Sequence, residues 1–250
     1  MIYFGLIPIA CLVWYLIWQG QNFSYWKRAL VNSQRISATD LSSVASTVII
    51  PARNEAKNIA ALLTSLSEQS ALDKGDSLVL VDDHSTDATI LEASNLALSQ
   101  LTILNLGDYR SEHELIAHKK AALTFAIRST DSPLIVTTDA DCYWSPQVLR
   151  HVKAAYQSGA EFICGPVLIA NPRGNCQGFQ ALDLIAYMFM TAAYQERREP
   201  ILANGAHLSF SRKLFIELEG YAGVDHLPSG DDVLLLQKAI AHGGFKTAFL

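Results

Sequence analysis

The chain has 250 residues, half of them hydrophobic, and a net charge of −5. That length suits one large domain or two small ones, and the mildly acidic balance excludes nucleic-acid binding by bulk charge. Cys11, Cys142, Cys164 and Cys176 form no C-x-x-C pair and no zinc-spaced Cys/His cluster, so reduced thiols are expected rather than a disulfide framework.

Ile2 to Trp18 contains no charged side chain. As a helix it covers about 25 Å, just enough to cross a bilayer with help from its flanks. Tyr3 near one end and Trp14, Tyr15 and Trp18 near the other suit the interfaces. A secretory signal would carry basic residues before the apolar run and a small-residue cleavage site after it, and neither is present. An uncleaved transmembrane anchor over 1–20 is therefore expected. Lys27, Arg28 and Arg35 follow it and no Lys or Arg precedes it, which places the rest of the chain on the cytoplasmic side of the inner membrane. Residues 21–46 read as a polar juxtamembrane connector with a short helix around Tyr25 to Val31.

The folded domain is expected from residue 47 to 250. Thr47 to Pro51 reads as a buried strand, followed by a helix from Asn54 or Glu55 to Glu68 with Ile59, Leu62, Leu63 and Leu66 on one face. Leu78 to Val81 is a second buried strand ending in Asp82-Asp83, and a helix follows from Ala88 to Ser99. Leu101 to Leu106 is a strand, Glu114 to Ile127 a helix, and Leu134 to Thr138 a strand running into Asp139-Ala140-Asp141. On an extended backbone Asp139 and Asp141 share a side. Such alternation argues for a mostly parallel sheet covered on both faces, with ligands outside the carboxyl ends of its strands. Three polar clusters fall there: Arg53-Asn54-Glu55, Asp82-Asp83 and Asp139/Asp141.

Beyond residue 160 the alternation weakens. Phe162 to Ile169 is an expected strand. Phe179 to Tyr194 is apolar but interrupted by Asp183, which suits a helix on a membrane surface or lining a cleft better than a second span. Ala206 to Phe210 reads as a strand, Lys213 to Leu218 as a short helix, and Asp231 or Asp232 opens a helix ending at Gly243-Gly244. The sequence stops at Leu250 inside another expected strand, so a longer protein is anticipated.

Several uses of acidic strand ends fail on residue order. A receiver domain needs a Lys after its phospho-accepting Asp, but Lys119 and Lys120 precede Asp139. A dehalogenase-type phosphatase needs a small hydroxyl or apolar residue where Tyr143 stands. The stretch Pro51 to Glu55 contains no glycine for a dinucleotide fingerprint, nor the Gly-rich basic loop of a nucleotidyltransferase.

Six motifs stand in one order: Val48 to Glu55 (VIIPARNE), Val81 to Asp87 (VDDHSTD), Lys119 to Leu123 (KKAAL), Thr138 to Cys142 (TDADC), Ala203 to Leu208 (ANGAHL) and Gly230 to Leu235 (GDDVLL). Together they resemble family-2 glycosyltransferases of the membrane-associated bacterial polysaccharide or lipid type. The resemblance implies an α/β GT-A fold over 47–250, with a nucleotide-binding part over about 47–142 and an acceptor part over about 143–250. It implies inverting transfer from a nucleotide-diphosphate sugar, a UDP-sugar by expectation, to a lipid-linked or polysaccharide hydroxyl. Pro51, Arg53, Glu55, Asp83, Lys119 and Asp139 match positions on the nucleotide-sugar side. Asp139 and Asp141 match the DXD motif that helps to hold Mg²⁺ or Mn²⁺, with Asp141 the more direct ligand. Asp232 matches the general base; Asn204 and Asp231 fall on the acceptor side, and His207 reads as packed. Lys119 and Lys120 are adjacent on a helix and point different ways, so one of them at most enters the site. Asp82 is left open between a turn and the site. The Q-x-x-R-W motif of polymerising members is absent, so processive synthesis is unsupported, and a non-catalytic homologue is the alternative.

Overall fold

The computed structural model describes residues 2–37, 43–109 and 116–250; the side chains of 2–6 and of 37 are not described. Seven strands form one sheet in the order β3-β2-β1-β4-β6-β5-β7. They are β1 Ser46–Ala52, β2 Ser77–Asp82, β3 Leu101–Asn105, β4 Leu134–Thr137, β5 Phe162–Cys164, β6 Leu208–Ser211 and β7 Thr247–Phe249. The first four are mutually parallel, with β1 between β2 and β4. β6 runs antiparallel to both β4 and β5, and β7 pairs parallel with β5. The parallel half is the βα alternation anticipated from residue 47, and the weaker alternation after 160 corresponds to the mixed half.

Successive side chains of the central strands leave on opposite faces, so each face buries its own core. Val48, Ile50, Leu80, Leu134 and Val136 pack with Leu62, Leu63 and Leu66 of α2 (Ile59–Ser67), Ala93 of α3 (Thr89–Asn95) and Val152 of α5 (Val148–Gln157). Ile49, Val79, Val81 and Ile135 pack on the other face. Their partners are Leu123 and Ile127 of α4 (His118–Arg128), Leu214 of α7 (Arg212–Glu217) and Leu235 of α8 (Asp231–His242). The helices at 54–68 and 88–99 are shorter than their apolar patterns suggested, because Glu55–Asn58 and Ala97–Gln100 are taken up in turns. The expected start of α4 at Glu114 lies outside the described residues.

The sheet register sets the site. Ala52 is level with Asp82, and Asp82 with Asn105. The β1–β4 ladder has ended at Ile49↔Thr137, so Pro51 lies past the β4 pairing that a proline would weaken. The exits of β1, β2 and β4 therefore stand side by side along one edge.

The N-terminal region differs from expectation. A single helix, α1 (Ile2–Ser37), runs through both the apolar stretch and most of the anticipated connector, of which residues 38–42 lie outside the described residues. Among the described residues no helix is long and apolar enough to cross a membrane. The first half of α1 projects Ile9, Leu12, Val13, Trp14 and Leu16 as exposed side chains. Its second half packs on α6 (Gly174–Glu196): Trp26 lies 5.8 Å from Phe189 between ring centroids, and Asn32 Nδ2 donates to Glu196 Oε2 at 2.9 Å. α6 is one helix with Asp183 inside it, and its exposed apolar side chains include Phe179, Leu182 and Ile185.

Candidate active site

The loops leaving β1 and β2 are stitched together. Asn54 adopts a left-handed conformation (φ 57°), which turns its N–H to Ser85 Oγ at 3.0 Å and its Oδ1 to the Thr86 N–H at 2.8 Å. The Glu55 N–H donates to Thr89 Oγ1 at 2.7 Å, and the Ala56 N–H to Asp87 Oδ2 at 3.2 Å. Pro51 is half-buried and Arg53 exposed at this exit, while the Glu55 carboxylate accepts from Asn58 Nδ2 at 2.7 Å. Thr89 holds the Asp87 carboxyl below its usual range. Asp82 serves the turn, accepting the Ser85 N–H at 3.1 Å.

Asp83 is buried at the β2 exit, its N–H held by the Ala52 carbonyl at 2.8 Å. Its Oδ1 meets two imidazoles, His84 Nδ1 at 3.0 Å and His118 Nδ1 at 2.8 Å. Neither histidine was singled out by the sequence reading. His84 follows β2 and His118 opens α4, so the packing of α4 against β2 brings them together, which no local spacing announces.

α4 places its two lysines as their adjacency requires. Lys119 Nζ lies 2.6 Å from Asp139 Oδ1 and 3.4 Å from Asp231 Oδ2. Burial alone would lower the Lys119 pKa, but the charges of Asp231 and Asp139 outweigh it and hold the ammonium above its ordinary value. Lys120, fully buried, turns away and donates to the Val224, Leu227 and Ser229 carbonyls, each at 2.9 Å. It fastens the loop that leads to α8.

Asp139 and Asp141 correct one expectation. β4 ends at Thr137, and the Cys142 N–H returns to the Asp139 carbonyl at 3.2 Å, so residues 139–142 form a turn. Strand alternation therefore does not apply to the pair. Asp139 is half-buried against Lys119, and Asp141 is exposed. Both offer hard oxygen donors of the kind that Mg²⁺ and Mn²⁺ take. Among the described residues they are not gathered with a third His, Cys, Asp or Glu ligand; the group so gathered is Asp83, His84 and His118. A divalent ion at the DXD turn fits this donor set, with its remaining positions left to water or phosphate oxygens.

Facing Lys119 across the site is the start of α8. Gly230, in the left-handed region (φ 77°), turns the chain so that Asp231 and Asp232 occupy the first helical turn, where the helix dipole favours carboxylates. Asp232 Oδ2 accepts the Gly205 N–H at 2.9 Å, and its Oδ1 accepts the Val233 N–H at 2.6 Å. Burial and the neighbouring Asp232 charge raise the Asp231 pKa above the usual carboxylate value, against the pull of Lys119. Gly205 leaves room for this pair: a Cβ there would lie 2.8 Å from Asp231 Oδ2 and 3.0 Å from Lys119 Nζ, so those side-chain ends would have to shift. Asn204 Oδ1 accepts the Ala206 N–H at 2.9 Å and so shapes this turn. His207 is packed, as expected: its Nδ1 donates to the Pro166 carbonyl at 3.1 Å, and its ring lies 5.2 Å from Trp144 between centroids. A Cβ on Gly165 would overlap the His207 ring, and burial pushes the imidazole pKa down to about 4.

The structure thus gathers Lys119, Asp139, Asp231 and Asp232 around the Gly205 turn. Asp83 and the 53–55 loop stand along the same strand edge, at the exits of β2 and β1.

The fold is shared with solved glycosyltransferases. The mannosyltransferase PcManGT from Pyrobaculum calidifontis, solved with GDP-Man and Mn²⁺, superposes with a TM-score of 0.64 at 22% identity, covering 92% of this chain and 62% of that one. S. aureus TarS 1-349 in complex with UDP-GlcNAc gives 0.62 at 19% identity, covering 83% and 56%. Glucosyl-3-phosphoglycerate synthase from Mycobacterium tuberculosis, in complex with Mn²⁺, UDP and glucosyl-3-phosphoglycerate, gives 0.56 at 20% identity, covering 83% and 69%. The chain thus spans less than two thirds of the first two proteins. No curated protein matches it. Residues 47–217 match Glycosyl transferase family 2, which is more than half of the sequence, and the chain belongs to that family.

Proposed function

We propose that the protein is an inverting glycosyltransferase that moves a sugar from a nucleotide-diphosphate donor, a UDP-sugar in our reading, to a hydroxyl of a lipid-linked or polysaccharide acceptor. The observation that carries the reading is the arrangement around Lys119, with Asp139 on one side and the Asp231-Asp232 helix start on the other. Arg53, Glu55 and Asp83, on the loops beyond β1 and β2, take the nucleoside, where a carboxylate suits base N–H and ribose hydroxyl donors. Asp141, with Asp139, holds Mg²⁺ or Mn²⁺, which when bound neutralises charge on the departing diphosphate. Lys119 adds a cation beside the same groups. Asp232, fixed by the Gly205 N–H, takes the proton of the acceptor hydroxyl as that oxygen attacks the anomeric carbon opposite the diphosphate, and inversion follows from the single displacement. Asp231 and Asn204 border the acceptor side. Relatives of the same fold support the donor class: PcManGT was solved with GDP-Man and Mn²⁺, and TarS with UDP-GlcNAc.

We place the enzyme at the cytoplasmic face of the inner membrane, attached by α1. The uncharged stretch Ile2 to Trp18, the exposed side chains of its described part and the basic residues after it support this. The deciding experiment is a donor screen that follows nucleoside diphosphate release with Mn²⁺ or Mg²⁺ and with a chelator. Release from one nucleotide sugar, stopped by the chelator and abolished in Asp141→Ala, is expected. A folded protein that binds donors without releasing diphosphate would favour the non-catalytic alternative.

A further inference from the structure

Asp83, His84 and His118 stand apart from the carboxylates of the DXD turn. Their ligand atoms all lie within 4.8 Å of one another. The two Nδ1 atoms converge on one oxygen, Asp83 Oδ1, at 3.0 and 2.8 Å, with the ring centroids 6.4 Å and the imidazole planes 78° apart. The Asp83, His84 and His118 side chains are 12%, 21% and 29% exposed, which seats the carboxylate while leaving the cluster open to solvent. His84 holds this position from a left-handed backbone (φ 59°), a conformation that non-glycine residues seldom adopt. His118 reaches the same oxygen as the first residue of α4.

A four-coordinate ion with bonds of about 2.0–2.1 Å spaces its ligand atoms about 3.4 Å apart. The two nitrogen–oxygen spacings, 3.0 and 2.8 Å, are shorter by roughly half an ångström, and all three ligand atoms lie within 4.8 Å of one another, so entry of an ion needs only small shifts of these side chains. Two imidazole nitrogens and one carboxylate oxygen select borderline ions such as Zn²⁺ or Co²⁺, whereas the all-oxygen DXD turn suits Mg²⁺ or Mn²⁺. We propose that Asp83 Oδ1, His84 Nδ1 and His118 Nδ1 form a second metal site, specific for a Zn²⁺-class ion, whose fourth position faces solvent. Because Asp83 also lies on the nucleoside side, an ion held there and the donor compete for one carboxylate. That consequence rests on the glycosyltransferase reading; the site itself does not.

The test uses the full, untagged chain, freed of metal by a chelator, with no nucleotide present. Co²⁺ is titrated as the probe, and the visible d–d absorption of low-coordinate Co²⁺ is recorded. A saturable band at one equivalent, displaced by Zn²⁺ but not by excess Mg²⁺, is expected. It disappears in His84→Gln and in His118→Gln and persists in the Asp139→Asn/Asp141→Asn double variant. Circular dichroism of the metal-free variants identifies any that fail to fold, and the two histidine variants test the site separately. No band in the wild type, a band surviving in a folded histidine variant, or loss of the band in the folded double variant overturns the site. In a second arm UDP and GDP are titrated into Zn²⁺-loaded and metal-free protein. At least tenfold weaker nucleotide binding by the loaded form supports the competition, and equal binding overturns it.

Discussion

At the scale of single residues, the two acids opening α8 have unequal surroundings. Asp232 is held by two backbone N–H groups, whereas Asp231 is pressed toward Lys119. If Asp232 is the base, Asp232→Asn should lower kcat by about 10²–10⁴-fold with little change in donor KM. Asp231→Asn should act more mildly and mainly through donor or acceptor affinity; the reverse ranking in steady-state kinetics would move the base to Asp231, whose raised pKa suits proton abstraction. His207 supplies a pH signature. Its pKa falls from the ordinary 6.5 to about 4 in the fold, so below pH 6.5 the unfolded chain binds a proton that the folded chain refuses. Stability from this group is full above pH 6.5 and is lost as pH falls toward 4, by about 3 kcal/mol. Denaturant midpoints across that window should fall with pH in the wild type and fall less in His207→Gln.

At the scale of elements, the fold hangs on polar ties at both ends of the parallel strands. At the end remote from the site, Lys153 of α5 is fully buried and donates to Asp76 Oδ2 at 2.7 Å and to the Ala71 carbonyl at 2.8 Å. Asp76 Oδ1 in turn accepts the Ser46 N–H and hydroxyl at the start of β1. Lys153→Met leaves the Asp76 carboxylate buried without its counter-charge and should cost about 3–5 kcal/mol in urea unfolding, with kcat of the surviving folded protein unchanged. Much of this level could be read in advance. The apolar runs at 47–51, 78–81 and 134–137 are strands because each is long enough and β-branched enough to be buried on both faces. Parallel pairing then brings their polar exits together. The split between Lys119 and Lys120 followed from helical geometry. What could not be read depends on where backbone regularity stops. The end of β4 at Thr137 broke the alternation argument for Asp139 and Asp141. The meeting of His118 with Asp83, and so with His84, across 35 residues needed the packed sheet.

At the scale of the molecule, the open question in the sequence was how the N-terminal stretch relates to the domain. An apolar segment and a polar connector looked like separate units because their compositions differ; in the fold they are one helix, since no glycine or proline cluster divides residues 20 to 37 and α6 offers a surface for the second half. Helix α1 therefore leaves Leu12 and Leu16, one turn apart, exposed above a docked base. In flotation assays the full chain should rise with anionic phospholipid vesicles, and the Leu12→Asp/Leu16→Asp variant should remain at the bottom with its thermal transition intact. Co-flotation of the variant would remove α1 as the attachment.

The neighbouring lysines of α4 hold the approach to Asp231 and Asp232 by two fastenings that respond differently to ionic strength. Lys119 reaches a partly exposed carboxylate at 2.6 Å, well inside the Debye length of about 8–10 Å, so added electrolyte screens that pair only in part. Lys120 is sealed from solvent and grips neutral carbonyls, so electrolyte leaves it in place. What salt can weaken here is therefore the Lys119 contact, while the segment that Lys120 grips at Val224, Leu227 and Ser229 stays fastened by uncharged acceptors.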